Sequence, residues 1–334
     1  MTALAIAVFV VVYALIATER VHRVVAALAG AGAMLLLRII DAEEAFHVPE
    51  TGVDWEVIFL LLGMMLIVAV LRRTGLFEYL AIWSAKRARG RPYRILVILC
   101  LVTAVASALL DNVTTVLLVA PVTVLIAERL GSRPAPYLIA EVLASNIGGT
   151  ATLVGDPPNI IIGSRAGISY GEFLTNLGPI ALIVLVLFLV LARWLFRHDL
   201  AADPARVARV MELDEREAIE DPGLLLRSLV VLALVTVAFL FHTVLGYDPA
   251  VIALLGAGGL VAVAGRNVEE LLRDVEWETL VFFMGLFIMV GALVEVGVLD
   301  AIAEAGAEAT AGRALLAALL ILALSGVLSG FVDN

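Results

Sequence analysis

Two polar groupings carry the residue types that could do chemistry. One is Asp111-Asn112 with Thr114 and Thr115, and the other is Ser145, Asn146, Gly148, Gly149 and Thr150 running on to Asp156 and Asn159. Both sit among apolar residues, where a carboxylate is expensive and by default faces water, an ion or a polar partner. Backbone carbonyls and hydroxyls at such a place suit a hard cation or a hydrogen-bonding solute, and a half-helix end adds a favourable dipole. Asp156 has two readings, a proton-carrying carboxylate or an N-cap ahead of Pro157. Asp111-Asn112 could instead be turn formers at a surface hairpin, and the glycines could serve close helix packing, which leaves Asn146 unexplained.

These groups are held by chain that is mostly apolar. Hydrophobic residues make up 62% and the mean hydropathy is +1.06, with only 16% charged, which marks an all-α, polytopic, multi-pass integral membrane protein. At about 20 residues per spanning helix, the length accommodates roughly eight to ten embedded segments. Apolar runs fall near 2–17, 24–40, 55–71, 94–110, 113–127, 134–164, 177–197, 228–245, 249–264, 279–295 and 314–332. The runs on either side of Asp111-Asn112 are shorter than a span, which predicts a re-entrant hairpin over about 94–128 with its tip inside the membrane. Glycines and Pro157-Pro158 interrupt the run at 134–164, so a broken helix is expected there, with Ser145–Asn159 unwound. Unwound backbone survives at membrane depth only where protein or a water-filled cavity satisfies it, so the break reads as a binding site.

Charge gives orientation. Between Arg72 and Arg94 stand seven cations against Glu78 alone, which places that segment in the cytoplasm, whereas Asp41, Glu43, Glu44, Glu50 and Asp54 put residues 41–54 outside. A shift of 222 residues maps Val53-Asp-Trp-Glu56 onto Val275-Glu-Trp-Glu278, Gly63 onto Gly285, Gly75 onto Gly297, Gly90-Arg91 onto Gly312-Arg313 and Asp111-Asn112 onto Asp333-Asn334. Internal duplication follows. The basic loop of the first copy is acidic in the second, with Glu295, Asp300, Glu304 and Glu308 against Arg313, so the copies are expected upside down to one another. Inverted repeats with broken helices are the plan of secondary transporters. The expected organisation is a first transmembrane half at 1–197, a cytoplasmic linker at 198–227, and the start of an inverted second repeat at 228–334. That repeat reaches its hairpin tip at the last residue, so the expectation is a fragment of a protein longer by about half a repeat.

Several classes are disfavoured. A net charge of -10 with scattered cations argues against a nucleic-acid partner. The single Cys100 excludes an intrachain disulfide and a multi-thiolate metal site. No basic n-region precedes the first apolar run, so that run is expected to be retained as a helix. An intramembrane aspartyl protease would also use two carboxylates, but such enzymes show Gly-x-Gly-Asp where this chain reads Leu153-Val-Gly-Asp156. No enzyme activity and no cofactor are expected.

The run Ser145–Asn159 with Ile160-Ile-Ile-Gly163, together with Leu109-Leu-Asp-Asn-Val-Thr-Thr115, resembles the arsenite permease and sodium/proton antiporter branch of the ion transporter superfamily, whose relatives include citrate transporter-like domains. The resemblance implies a homodimeric elevator-type carrier in a lipid bilayer, of a bacterial-type plasma membrane, with hairpins and broken helices of two inverted repeats enclosing one site. In its dicarboxylate branch a Ser-Asn-Thr triplet binds carboxylate, whereas here Ile147 follows Ser145-Asn146. Three acids, Asp111, Asp156 and Asp333, with no base among the site residues disfavour a multiply charged anion without co-bound cations. A small inorganic ion or neutral hydroxylated solute, as in arsenite or antimonite efflux coupled to protons or sodium, fits better. Sodium/proton antiport and citrate or dicarboxylate carriage are the alternatives, and sodium is the one metal ion expected at the site.

Overall fold

The computed structural model describes residues 1–48, 50–200, 211, 214–265 and 267–329, and among these it contains helices and no strands. In order they are α1 (Thr2–Ala17), α2 (Arg23–Leu36), α3 (Ala42–His47), α4 (Trp55–Arg72), α5 (Leu76–Arg87), α6 (Pro92–Leu109), α7 (Asn112–Leu130), α8 (Ala135–Gly149) and α9 (Pro157–Ala166). There follow α10 (Tyr170–Leu195), a 3-10 turn at Glu215–Ala218, α11 (Pro222–Leu240), α12 (His242–Leu245), α13 (Pro249–Ala264), α14 (Val268–Arg273), α15 (Trp277–Glu295), α16 (Val298–Ala309) and α17 (Ala314–Ser329). Among the described residues six helices, α4, α6, α7, α10, α11 and α15, are long and apolar enough to cross a membrane, and α1, α2, α13 and α17 are shorter apolar helices.

Local chemistry sets the boundaries. Pro92 opens α6 at a position whose amide would be unpaired in any case, and Gly131, at φ 71°, ends α7 in the left-handed region. These signals lengthen both helices beyond their apolar runs, to 18 and 19 residues. At 1.5 Å per residue they are about 27 and 29 Å long, which corrects the shorter lengths expected from the apolar runs alone. Ser169 and Glu172 form a capping box that starts α10 at Tyr170, and Asp221 caps α11 so that it begins at Pro222, inside the segment expected as linker. Within that segment, residues 201–210, 212 and 213 lie outside the described residues.

The chain forms two compact units, residues 1–58 with 276–334 and residues 59–275. In the first, α2 and α15 form the main interface, and Gly285 allows it: a Cβ there would lie 3.0 Å from the carbonyl carbon of Ala27. Arg23 stands over the Phe282 ring at 5.7 Å. In the second unit Gly63 of α4 meets α13 in the same way, a Cβ lying 2.8 Å from the carbonyl carbon of Ala253. The main interface here is α6 on α8, with α7 packed on α8 and α10 behind it. Arg73 bonds Asp274 at 2.8 Å and also Glu270, tying the end of α4 to α14. Both carboxylates hold its guanidinium pKa above the ordinary arginine value.

Local structure repeats at the 222-residue shift. The helix of Trp55–Arg72 corresponds to Trp277–Glu295, and Leu76–Arg87 to Val298–Ala309, with the same first and last positions in the second pair. Gly75 and Gly297 have φ of 77° and 73°, and Gly90 and Gly312 of 65° and 68°. Arg89 and Ala311, non-glycine residues, share φ near 54° and 49°.

The connector docks on α5. The Glu220 amide donates to Thr74 O at 3.1 Å, Lys86 pairs with Glu215, and a Cβ on Gly75 would lie 2.9 Å from the Ala218 carbonyl carbon. The Lys86 ammonium holds the Glu215 carboxyl below the usual carboxylate range. A lowered pKa in the folded state contributes stability above the ordinary carboxylate pKa and loses it as pH falls through the lowered value. Hydrogen exchange at the Glu220 amide, corrected for intrinsic rate, is therefore expected to lose protection below the usual carboxylate range. In Lys86→Met the protection should already be lower at neutral pH. For the glycine contacts, Gly63→Val and Gly285→Val are each expected to destabilise by about 1–3 kcal/mol through overpacking. Gly306→Ala, in a half-buried helical position where a Cβ meets nothing within 4 Å, should be neutral or stabilising by up to about 1 kcal/mol in the same thermal unfolding measurement.

Candidate functional site

The chain reverses between α6 and α7 at Leu110–Asp111, and the C-terminal end of α8 comes to the same place. Ser107 Oγ donates to Ser145 O at 2.7 Å. Ser145 Oγ donates to Asn112 O at 2.8 Å and lies 3.1 Å from Ser107 Oγ. Asn112 Nδ2 donates to Asn146 Oδ1 at 3.1 Å. Ser107 and Ser145 are fully buried, and Asp111, Asn112, Asp156 and Asn159 are each under one tenth exposed.

The helix break is narrower than expected. Ser145–Gly149 is the last turn of α8, and only Thr150–Asp156 is non-helical. The glycines do not unwind the helix here; they admit a neighbour. A Cβ on Gly148 would lie 2.5 Å from Ala104 Cα, and one on Gly149 would lie 3.2 Å from Ser107 Oγ. Close packing of α8 on α6 is thus the use of Gly148, and a helical backbone can meet it because packing outweighs the glycine penalty of about 1 kcal/mol.

The break satisfies its own backbone. Thr152 Oγ1 donates to Ala108 O at 2.6 Å at the end of α6 and accepts from the Gly155 amide at 3.0 Å. Asn159 Nδ2 donates to both Gly149 O at 3.1 Å and Thr152 O at 2.9 Å. The Asn112 amide donates to Gly155 O at 3.1 Å, joining the break to the start of α7. Ser107 and Thr152 are structural members of the cluster that the sequence reading did not place among its site residues.

Four residues then offer groups for a ligand. Asp111 Oδ1 accepts from the Thr114 amide at 3.0 Å, so this carboxylate caps α7. Asp156 precedes α9 but its side chain accepts no amide bond from that helix; it lies against Asn112 and near Asp111. Two carboxylates thus stand at the N-terminal ends of two helices, where the dipole favours negative charge. Asn112 Oδ1 accepts from the Val113 amide at 2.9 Å, and Asn146 completes the group. Thr115 is fully buried with its hydroxyl unpartnered. Thr150 is exposed and its hydroxyl folds back on Ile147 O at 2.8 Å, and Thr114 joins through its amide. Asp333 and Asn334 lie outside the described residues. No group of three or more His, Cys, Asp or Glu side chains that could hold a metal ion occurs among the described residues.

The crevice of about 610 Å³ lined by residues such as Phe77, Leu80, Trp83, Leu101 and Leu232 is apolar and contains none of these groups.

A family model described as "Citrate transporter" matches residues 13–334. The chain is 56% identical over 334 residues to a 46 kDa membrane protein of Mycobacterium leprae, covering 100% of this chain and 78% of that protein. An uncharacterized transporter of Mycobacterium tuberculosis is 54% identical over the same 334 residues, again 100% and 78% of the two chains. The human P protein is 33% identical over 371 residues, covering 89% of this chain and 44% of its own length.

Asn159→Leu removes the donor to two buried carbonyls and is expected to destabilise by about 1–3 kcal/mol for each one left unpaired. Thr150→Ala, whose hydroxyl only bonds its own helix, should change stability by no more than about 0.5 kcal/mol in the same melts.

Proposed function

The chain belongs to the citrate transporter family of the ion transporter superfamily, and on that premise we propose that it is a secondary active carrier whose binding site is the cluster of Asp111, Asn112, Asn146 and Asp156. It is a multi-pass membrane transporter of a small solute. The observation that carries the site assignment is chemical: two carboxylates and two carboxamides converge where α7 and α9 begin and α8 ends, and no basic side chain is among them. A carboxylate buried in a span costs about 3 kcal/mol or more, so two that are retained together need a bound counter-charge or a proton. Sodium or a proton supplies it, and the solute binds beside it.

The solute favoured by this electrostatics is small, and neutral or hydroxylated, as in arsenite or antimonite efflux. Carbonyls and amides at the site can hydrogen-bond its hydroxyl groups without opposing a charge. Carriage of citrate or a related carboxylate is the second reading, favoured by the family description, and it requires the coupling cations to bind first and offset Asp111 and Asp156. Sodium/proton antiport uses the same two carboxylates with no solute.

The architecture proposed around the site is two inverted repeats, 1–197 and 228–334, with residues 72–94 cytoplasmic and the α6–α7 reversal as a re-entrant tip. Recurrence of helix limits and of left-handed glycines at the 222-residue shift supports the duplication, and the reversal of loop charge supports the inversion. As in the resemblance, the carrier is a homodimer.

Counterflow in proteoliposomes with arsenite, citrate, phosphate and sodium, under imposed pH and sodium gradients, tests the reading. Asn146→Ala and Asp111→Asn are each expected to abolish transport while membrane insertion is retained. Wild-type uptake in either variant would refute the site.

A further inference from the structure

A second buried carboxylate stands apart from that site. Glu141 lies in α8 and is 1% exposed. Thr123 Oγ1 of α7 donates to its Oε1 at 2.7 Å, and its Oε2 is buried with no hydrogen-bond partner. Its surroundings are a hydrophobic cluster from α5, α6, α7, α8 and α10 that includes Ala85, Leu99, Val122, Ala144 and Leu185. The titratable groups in that cluster are Cys100 from α6 and Tyr137 from α8 itself; α5, α7 and α10 contribute apolar side chains to it, and the neutral Thr123 of α7 bonds Glu141 from beside it. Among the described residues no cation pairs with this carboxylate.

An uncompensated charge at such a place is costly, whereas a protonated carboxyl uses the same room as an uncharged group with one donor and one acceptor. The helical register connects it to the site. Ser145 lies one turn beyond Glu141 on α8, and Thr103 lies one turn before Ser107 on α6, so the contact of Ser107 with Ser145 sits one turn from this level. Thr103 Oγ1 and Thr115 Oγ1 are fully buried and unpartnered, whereas a buried hydroxyl is ordinarily hydrogen-bonded. Buried hydroxyls at 103, 107, 115, 123 and 145 thus sit on α6, α7 and α8, the helices around Glu141, with Thr123 bonded to it directly.

We propose that Glu141 is a proton-binding site of this carrier, loading and releasing a proton through the Thr103, Thr115 and Ser145 hydroxyls in step with occupation of the site one turn away. Only an O–H bond is made or broken: the proton passes from water or one of these hydroxyls to Oε2 and returns by the same way. The inference rests on the carrier reading, since the proton is the one coupled to solute movement.

The test uses the complete chain in membranes and the lipid-soluble reagent dicyclohexylcarbodiimide. A protonated carboxyl gives its proton to a carbodiimide nitrogen while its oxygen adds to the central carbon, and rearrangement leaves a stable N-acylurea on the side chain. Peptide mass spectrometry is expected to find the adduct on Glu141 near neutral pH, fading as pH is raised, and absent from Glu141→Gln. In proteoliposomes, Glu141→Gln that elutes and melts as a folded protein should lose at least tenfold of the pH-gradient-driven accumulation of arsenite or citrate. No adduct on Glu141, an adduct blocked by sodium ions but indifferent to pH, or a folded Glu141→Gln that accumulates solute as the wild type does would each overturn the proposal. Labelling does not depend on solute movement, so a wild-type protein that labels but exchanges no solute would count against the carrier reading alone.

Discussion

Backbone groups released where α8 stops and α9 starts must find partners without water, and this requirement organises the region around them. A helix end leaves carbonyls and amides open, and in an apolar setting each one unmade costs several kcal/mol. The carboxamide of Asn159 closes two carbonyls, and the hydroxyl of Thr152 serves both the end of α6 and the Gly155 amide. These side chains spend their donors on the backbone, and beside them stand the carboxylates of Asp111, which caps α7, and of Asp156. Two carboxylates brought together in an apolar setting favour a cation or proton beside them.

Each contact unit rests on the same device, a glycine that lets one helix backbone reach another. Gly285 meets Ala27 in one unit and Gly63 meets Ala253 in the other, and the two glycines correspond at the 222-residue shift. Left-handed Gly75 and Gly297 turn the chain at equivalent points, so the pattern extends from packing to loop geometry. Lipid-exposed helices gain little from burying apolar area against one another, so close backbone approach and interhelical hydrogen bonds carry more of the association.

Much of this was legible from residues. The polytopic class, the break near Gly-Asp-Pro-Pro-Asn, and the pairing of the 111–112 region with 145–146 follow from composition, from helix breakers and from polar residues out of place. Two things were not. Gly148 and Gly149 read as helix breakers, yet they lie in a helix, because a glycine has the same letter whether it loosens a backbone or admits a neighbour, and only the partner decides. Glu141 was missed although a carboxylate in an apolar run is a strong signal; the denser polar stretch four residues on overshadowed it, and its partner Thr123 is a residue type that spans tolerate without remark. Helix ends were less legible than helix centres: Pro92, Gly131 and Asp221 moved boundaries by two, three and six residues beyond the apolar runs.

The contact of Gly148 with Ala104 leaves a mark on the other helix too. Where two main chains touch, the side chain on the far partner inherits the same ceiling on size, so the tolerance for change at Ala104 should be as narrow as at Gly148 itself, though an alanine in the middle of an oily helix looks like the most replaceable letter in the chain.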